Sequence, residues 1–300
     1  MARRFHTLDV FTDVALAGNP LAVVVDAEDL DDARMQSIAA EFNLSETVFV
    51  LEAKTPVNTA RVRIFTPARE LPFAGHPTVG TAALLAHLRA PDLLAAQDLR
   101  IVLEEKVGDI VCVVRHRKGQ ALAAYFDLPK LPERLADAPP SKAEIAMRTG
   151  LSQDDIGFDG HEPRLFSAGV PYLFVPVRSL EAIGRADPRL TRWGADGVPA
   201  VYLYTREAAH VGSSFHARMF AGGLGVSEDP ATGSAAAAFA GVAFEFDRHT
   251  DGEHLMTIEQ GIEMGRASYI GLGFKVEGRA LRAATIGGSA VIVSSGSLDI

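Results

Sequence analysis

Two phrases constrain the fold of this chain more than anything else in it: GHPTVGTAALLA at residues 75–86 and GVSEDPATGSAAAAFAG at residues 225–241. Each sets a proline just ahead of a Gly-Thr or Gly-Ser step and then runs into residues with almost no polar face. His76-Pro77 and Asp229-Pro230 have the form of a helix start, a capping residue followed by proline in the first turn. Gly80-Thr81 and Gly233-Ser234 serve equally well as the first turn. A helix that is apolar all round has to be buried all round, and its alanines let strands approach closely. The packing this requires is a sheet wrapped around a central helix, once for each phrase.

The phrases belong to a longer repeat. His76-Pro-Thr-Val-Gly-Thr-Ala-Ala aligns with Asp229-Pro-Ala-Thr-Gly-Ser-Ala-Ala, Gly18-Asn-Pro-Leu-Ala-Val-Val with Gly169-Val-Pro-Tyr-Leu-Phe-Val, and Arg63-Ile-Phe with Arg218-Met-Phe. Three anchors in one order, at nearly one spacing, make a duplication, and 300 residues suit two domains at roughly 150 residues each. Around the anchors lie short runs rich in β-branched and aromatic residues, FHTLDVFT, PLAVVVD, ETVFVLEA, ARVRIFT, IVLEEK and DIVCVVRH, that read as strands. DLDDARMQSIAAEF, with Met35, Ile38, Ala39 and Phe42 at helical spacing, reads as a helix. A proline- and charge-rich stretch at residues 128–144 marks the boundary. The halves expected are 1–128, completed by a C-terminal strand at about 285–300, and 129–284.

Charge and composition exclude several functions. A net charge of −9 argues against a nucleic-acid binder, which needs a basic face. The longest apolar run, residues 235–244, is too short to cross a bilayer, and Asp9 and Asp13 interrupt anything resembling a signal segment. The expectation is a cytoplasmic protein with neither nucleic-acid nor membrane partner. The single cysteine, Cys112, sits in an alternating strand and reads as a buried core residue. The nine histidines are scattered without metal-ligand spacing. AGGLGV at residue 221 lacks both the dinucleotide and the P-loop spacing and reads as a turn feeding the second helix. Buried helix starts leave N–H groups in need of an acceptor, and the helix dipole favours an anionic one. Two of them suit a small carboxylate or a developing enolate, unless Thr81 and Ser234 merely cap their own helices.

Six ordered motifs, DVFTDVALAGNPLAVV, NLSETVFV, RIFTPARELPFAGHPTVGTA, GVSEDPATGSAAAA, EQGIEMGRAS and IGGSAVIV, resemble those of the PhzF family, the phenazine-biosynthesis isomerase-like proteins with the diaminopimelate epimerase fold. The resemblance implies two similar α/β (α+β) halves, each a curved, mainly antiparallel sheet around a central buried helix. It also implies a cleft between the halves and a homodimer. Racemases on this fold use a cysteine in each half near the helix starts. His76 and Asp229 stand in those regions here, with no cysteine near either, so two-cysteine racemisation is excluded.

By the same resemblance Glu46, in Asn43-Leu-Ser-Glu-Thr, is the general acid/base, and Gly75, His76, Asp229, Gly233 and Ser234 contact the substrate. Read from the residues alone, Glu46 leads an apolar strand, where burial would raise its pKa toward neutrality. The matching second-half segment, PAVYLYT, carries no acid. Glu228 reads as a solvated neighbour of Asp229, and the EMGR stretch at residues 263–266 has no assigned role. The function expected is a cofactor-free, metal-free isomerase moving a proton between carbons of a small carboxylate, as the phenazine enzymes do with a dihydro-hydroxyanthranilate. The alternatives are an epimerase or racemase pairing Glu46 with Asp229 or His76, and a non-enzymatic binding module on the same fold.

Overall fold

The computed structural model describes residues 2–195, 199–224 and 226–300. Gly225, which opens the second phrase and closes AGGLG, lies outside them. The chain divides into two units, Met1–Pro129 with Gly287–Ile300, and Lys130–Ile286.

The first unit runs β1 (Ala2–Val10), β2 (Asn19–Val24), α1 (Asp32–Phe42), β3 (Glu46–Leu51), β4 (Ala60–Phe65), β5 (Glu70–Leu71), α2 (Gly75–Arg89), α3 (Pro91–Ala96), β6 (Leu99–Glu105), β7 (Gly108–Arg115) and β8 (Leu122–Asp127). β1 pairs antiparallel with β2, β2 parallel with β3, β3 antiparallel with β4, and β4 parallel with β6; β6, β7 and β8 form an antiparallel meander. The final strand of the chain pairs with both β1 and β8, so the sheet closes on itself.

α2 fills the middle and is buried from Gly75 to Ala86. Gly80 sets its distance from the wall: a Cβ there would stand 2.6 Å from the Leu21 side chain and 2.8 Å from that of Val10. α1 covers the outside, with Met35, Ile38 and Ala39 against Val24, Phe49, Leu51 and Phe65. Its N-cap Asp31 accepts the Arg34 N–H, and Asn43 ends it in a left-handed conformation. β3 is therefore buried on both faces, which is why ETVFVL reads as a continuous apolar run rather than an alternating one.

The second unit contains β9 (Glu133–Arg134), α4 (Lys142–Thr149), β10 (Arg164–Ser167), β11 (Pro171–Pro176), α5 (Leu180–Arg185), β12 (Ala200–Thr205), β13 (Phe215–Ala221), β14 (Val226–Asp229), α6 (Gly233–Asp247), β15 (Gly252–Gln260), β16 (Ser268–Glu277) and β17 (Ala280–Asp299), whose later residues belong to the first unit. β11 and β12 pair in parallel, β12 and β13 antiparallel, β13 and β15 in parallel, β15 and β16 antiparallel. This is the order and sense of β2, β3, β4, β6 and β7, so the duplication extends to the strand ladder. Gly278 and Arg279, both at φ 60°, link β16 to β17 with the left-handed pair a tight hairpin turn needs. α6 is buried at Gly233 and from Ala235 to Ala243. A Cβ on Gly241 would meet the Phe166 ring at 2.6 Å.

The two helices begin differently from the sequence expectation. α2 starts at Gly75, placing Pro77 third rather than first, whereas α6 starts at Gly233, leaving Asp229-Pro230 outside the helix. Asp229 ends β14 and is not the N-cap, which is Thr232. Neither Thr81 nor Ser234 caps its helix: Thr81 is buried in the second turn, and Ser234 is hydrogen-bonded to Tyr172. The Gly222–Leu224 turn leads into β14, not directly into α6. The short helices α3, α4 and α5 carry too few turns to show a period in the sequence. Among the described residues no helix is long and apolar enough to cross a membrane.

Candidate active site

In the first unit, Glu46 opens β3, opposite Leu21 of its parallel partner β2. Its carboxylate stands 3.4 Å from Nδ1 of His76, the second residue of α2. The strand start and the helix start thus bring the acid and the imidazole together. His76 is buried, and burial drives its imidazole from the ordinary value down to about 3, against a weaker pull from the Pro20 carbonyl. The ring is therefore neutral at physiological pH. Ala74, the N-cap, brings no side chain to the helix end. Gly75 and His76 consequently present first-turn N–H groups, and Pro77 has none to offer. A carboxylate, a neutral imidazole and an uncapped helix start together can hold an anion and exchange a proton.

In the second unit, the buried Asp229 accepts the Thr232 hydroxyl at 2.6 Å. Gln260 of β15 then ties the approach to α6 in place: its Nε2 donates to the Asp229 carbonyl at 2.7 Å, and its Oε1 accepts the Thr232 N–H at 3.2 Å. Gly233 is buried in the first turn, and the half-buried Ser234 shares a 2.7 Å hydrogen bond with Tyr172. The register shows what this unit places at the position of Glu46. Leu21 faces Glu46 across β2 and β3, and the equivalent Tyr172 faces Ala200 across β11 and β12. An alanine stands where the first unit has its acid.

A family model described as "phenazine biosynthesis-like protein" (PhzC-PhzF) matches residues 8–296. The chain belongs to the PhzF family. It is 48% identical to an uncharacterised isomerase of Mesorhizobium japonicum, over 99% of both chains. It is 36% identical to the trans-2,3-dihydro-3-hydroxyanthranilate isomerase of Pseudomonas fluorescens, over 97% of both. The crystal structure of a PhzF-family phenazine biosynthesis protein from Bacillus anthracis superposes with a TM-score of 0.87 at 27% identity, covering all of both chains. The protein is accordingly an isomerase of this family.

Several residues around these PhzF helix starts escape a reading of the sequence. Arg63 grips Glu70 through Nε and Nη2, both at 2.7 Å, and Arg218 grips Glu228 the same way at 2.7 and 2.8 Å. Glu228 is thus a bidentate partner of a buried arginine, not a solvated neighbour of Asp229. The Arg-Ile-Phe and Arg-Met-Phe anchors hold the strands that run into the two helix starts.

Glu104 accepts the backbone N–H groups of Lys54 and Thr55, and Glu259 those of Ala209 and His210. The two N–H groups hold the Glu104 carboxyl down at about 2. His216 donates to Glu259 at 2.8 Å and to Glu263 at 2.9 Å. Burial opposes its protonation, but the two carboxylates outweigh that and raise its pKa. This gives the EMGR stretch a role. Glu263 completes the clamp on His216. Gly261, at φ 76°, lets the 261–266 turn sit against Pro230, where a Cβ would meet the carbonyl oxygens of Arg266 and Pro230 at 2.5 and 2.6 Å. The signal for these residues lay in Glu104-Glu105 and Glu259-Gln260, which recur at the spacing of the repeat. Cys112 is a core residue whose thiol is pushed up by burial.

Proposed function

We propose that this isomerase moves a proton between two carbons of a small cyclic carboxylate of the trans-2,3-dihydro-3-hydroxyanthranilate type, with Glu46 as the single general acid/base. Glu46 takes the proton from one carbon as electrons delocalise toward the ring and carboxylate, and returns it to a second carbon. The double bonds have then shifted without oxidant or reductant. His76, neutral and buried, acts as a hydrogen-bond partner rather than a charge. Together with the Gly75 N–H it steadies the delocalised anion. Asp229, Gly233 and Ser234 are the substrate-binding residues proposed for the second unit.

The observation that carries this reading is the 3.4 Å approach of Glu46 to a neutral His76, set against Ala200 at the matching register. One base favours transfer of a proton from carbon to carbon. An epimerase pairing Glu46 with Asp229, which ends β14 ahead of the second helix, would instead invert one carbon without moving a double bond.

Proton NMR of trans-2,3-dihydro-3-hydroxyanthranilate in D₂O tests it. Wild type should convert the substrate to the shifted ketone, and Glu46→Gln should do so about 10²- to 10⁴-fold more slowly, the usual contribution of a general acid/base. Turnover by Glu46→Gln at near the wild-type rate would refute the mechanism. Scrambling at one carbon without double-bond migration would refute the reaction class.

A further inference from the structure

Glu105, the last residue of β6, is buried beneath the first turn of α2, and nothing in the proposed chemistry uses it. Its Oε1 lies 2.7 Å from the Thr78 hydroxyl, which lies 2.8 Å from the Ala74 carbonyl. The hydroxyl has one proton and the carbonyl can only accept. Each contact is a full two-centre hydrogen bond when the carboxyl supplies a proton of its own, with Glu105 donating to Thr78 and Thr78 donating to Ala74; with an ionised carboxylate the single hydroxyl proton has to be shared between two acceptors. The second unit ties the approach to its helix from the matching strand position without that requirement. Gln260 stands at the position of Glu105 in the repeat, and its amide donates to the Asp229 carbonyl and to the Thr232 hydroxyl at 3.1 Å.

We propose that Glu105 is a positioning residue of the first half-site: as a neutral acid it holds, through Thr78, the 74–78 turn that carries Gly75 and His76, and its ionisation releases that turn. This deepens the reading of Glu46, Gly75 and His76 as the reacting site and rests on it for its catalytic consequence.

The surroundings keep the carboxyl neutral. Across β7 the register partner is Gly108, without a side chain, and the titratable neighbour is the buried Cys112. From α2 come Thr78 and, in the same turn, the neutral His76. β4 sets Ala60 beside Leu103 and Arg61 beside Glu104. The charged sequence neighbours are engaged elsewhere, Glu104 with Lys54 and Thr55, and Lys106 with Glu70. Burial then lifts the Glu105 carboxyl to about 8, against the smaller opposing effect of Thr78. A carboxyl raised in the folded state stabilises it fully below its unfolded value near 4.5 and ceases to do so as the pH rises through about 8.

The test follows the His76 imidazole by long-range ¹H–¹⁵N NMR between about pH 6 and about pH 10, in wild type, Glu105→Gln and Thr78→Val. The expected result is a shift of the His76 signals with a midpoint near 8 in wild type. Glu105→Gln, which carries a permanent amide as Gln260 does, should show none. Thr78→Val should also show none, because the relay is cut while Glu105 still titrates. His76 signals that stay fixed in wild type, or that move equally in Glu105→Gln, would overturn the proposal.

In turnover, wild type at one pH unit above the midpoint should fall about tenfold from its neutral rate, and Glu105→Gln should not show that decline. The NMR titration needs no substrate. A failure to isomerise dihydro-hydroxyanthranilate would therefore remove the proposed reaction and leave the positioning role decided on its own data.

Discussion

The start of α2 and the start of α6 stand on one scaffold and differ in the groups placed on it. In both units an arginine of the third ladder strand holds a glutamate bidentately just before the helix. In both, a buried carboxylate gathers two successive backbone N–H groups from the loop beyond the second ladder strand. The departures are chemical. Glu46 faces Ala200 in the repeat, His76 faces Asp229, and Glu105 faces Gln260. A duplicated fold can keep the groups that fix its backbone in both copies and vary the ones that handle protons. Here Glu46 and the neutral imidazole sit in the first unit, and the second carries Asp229, whose carboxylate accepts the Thr232 hydroxyl.

The comparison can be broken through its shared part first. Arg218 is 5% exposed, and it also donates to the carbonyls of Ile183 and Ala186. Arg218→Met leaves Glu228 buried and unpaired and should cost about 3–5 kcal/mol. Arg63 is 17% exposed, and Glu70 keeps Lys106 at 2.6 Å, so Arg63→Met should cost only about 1–2 kcal/mol. Urea denaturation of the two variants checks the order, and an equal or greater loss for Arg63→Met would contradict it.

His76 gives a smaller effect, and one specific to the first unit. Its folded pKa of about 3 lies below the ordinary value of 6.5, so the neutral ring contributes stability that is present above about 6.5 and lost progressively as the pH falls toward about 3. Thermal melts of His76→Gln should fall less steeply than wild type across that window. Identical slopes would mean that the ring is not held neutral. The smallest effect concerns packing. Gly80→Ala pushes a methyl group against the ends of the Leu21 and Val10 side chains, which can give way, and should cost about 1 kcal/mol.

The repeat, the two buried helices and the strand segments of the first half were legible because each rests on local pattern: apolar all-round runs, β-rich segments and ordered anchors. The residues holding the site together were not. Glu228 looked solvated because its partner Arg218 lies ten residues away on the neighbouring strand, a pairing that register settles and composition does not. Glu104-Glu105 lay inside the strand run IVLEEK, with nothing local to mark either for a role. Successive strand residues point to opposite faces, so one of the two had to turn inward toward α2. The helix starts differed because proline tolerates several first-turn positions and caps compete with strand ends. Glu46 and His76 were named from the family resemblance. Their 3.4 Å approach depends on a parallel strand pair and a helix turn that no local pattern encodes.

The most direct test of a single base in the first unit is deuterium wash-in from D₂O into recovered trans-2,3-dihydro-3-hydroxyanthranilate and its product, comparing Glu46→Gln with Asp229→Asn at saturating substrate. Proton exchange should disappear with Glu46→Gln and persist with Asp229→Asn, which should mainly raise KM. Exchange that survives in Glu46→Gln, or that is lost to the same degree in both variants, would contradict the account.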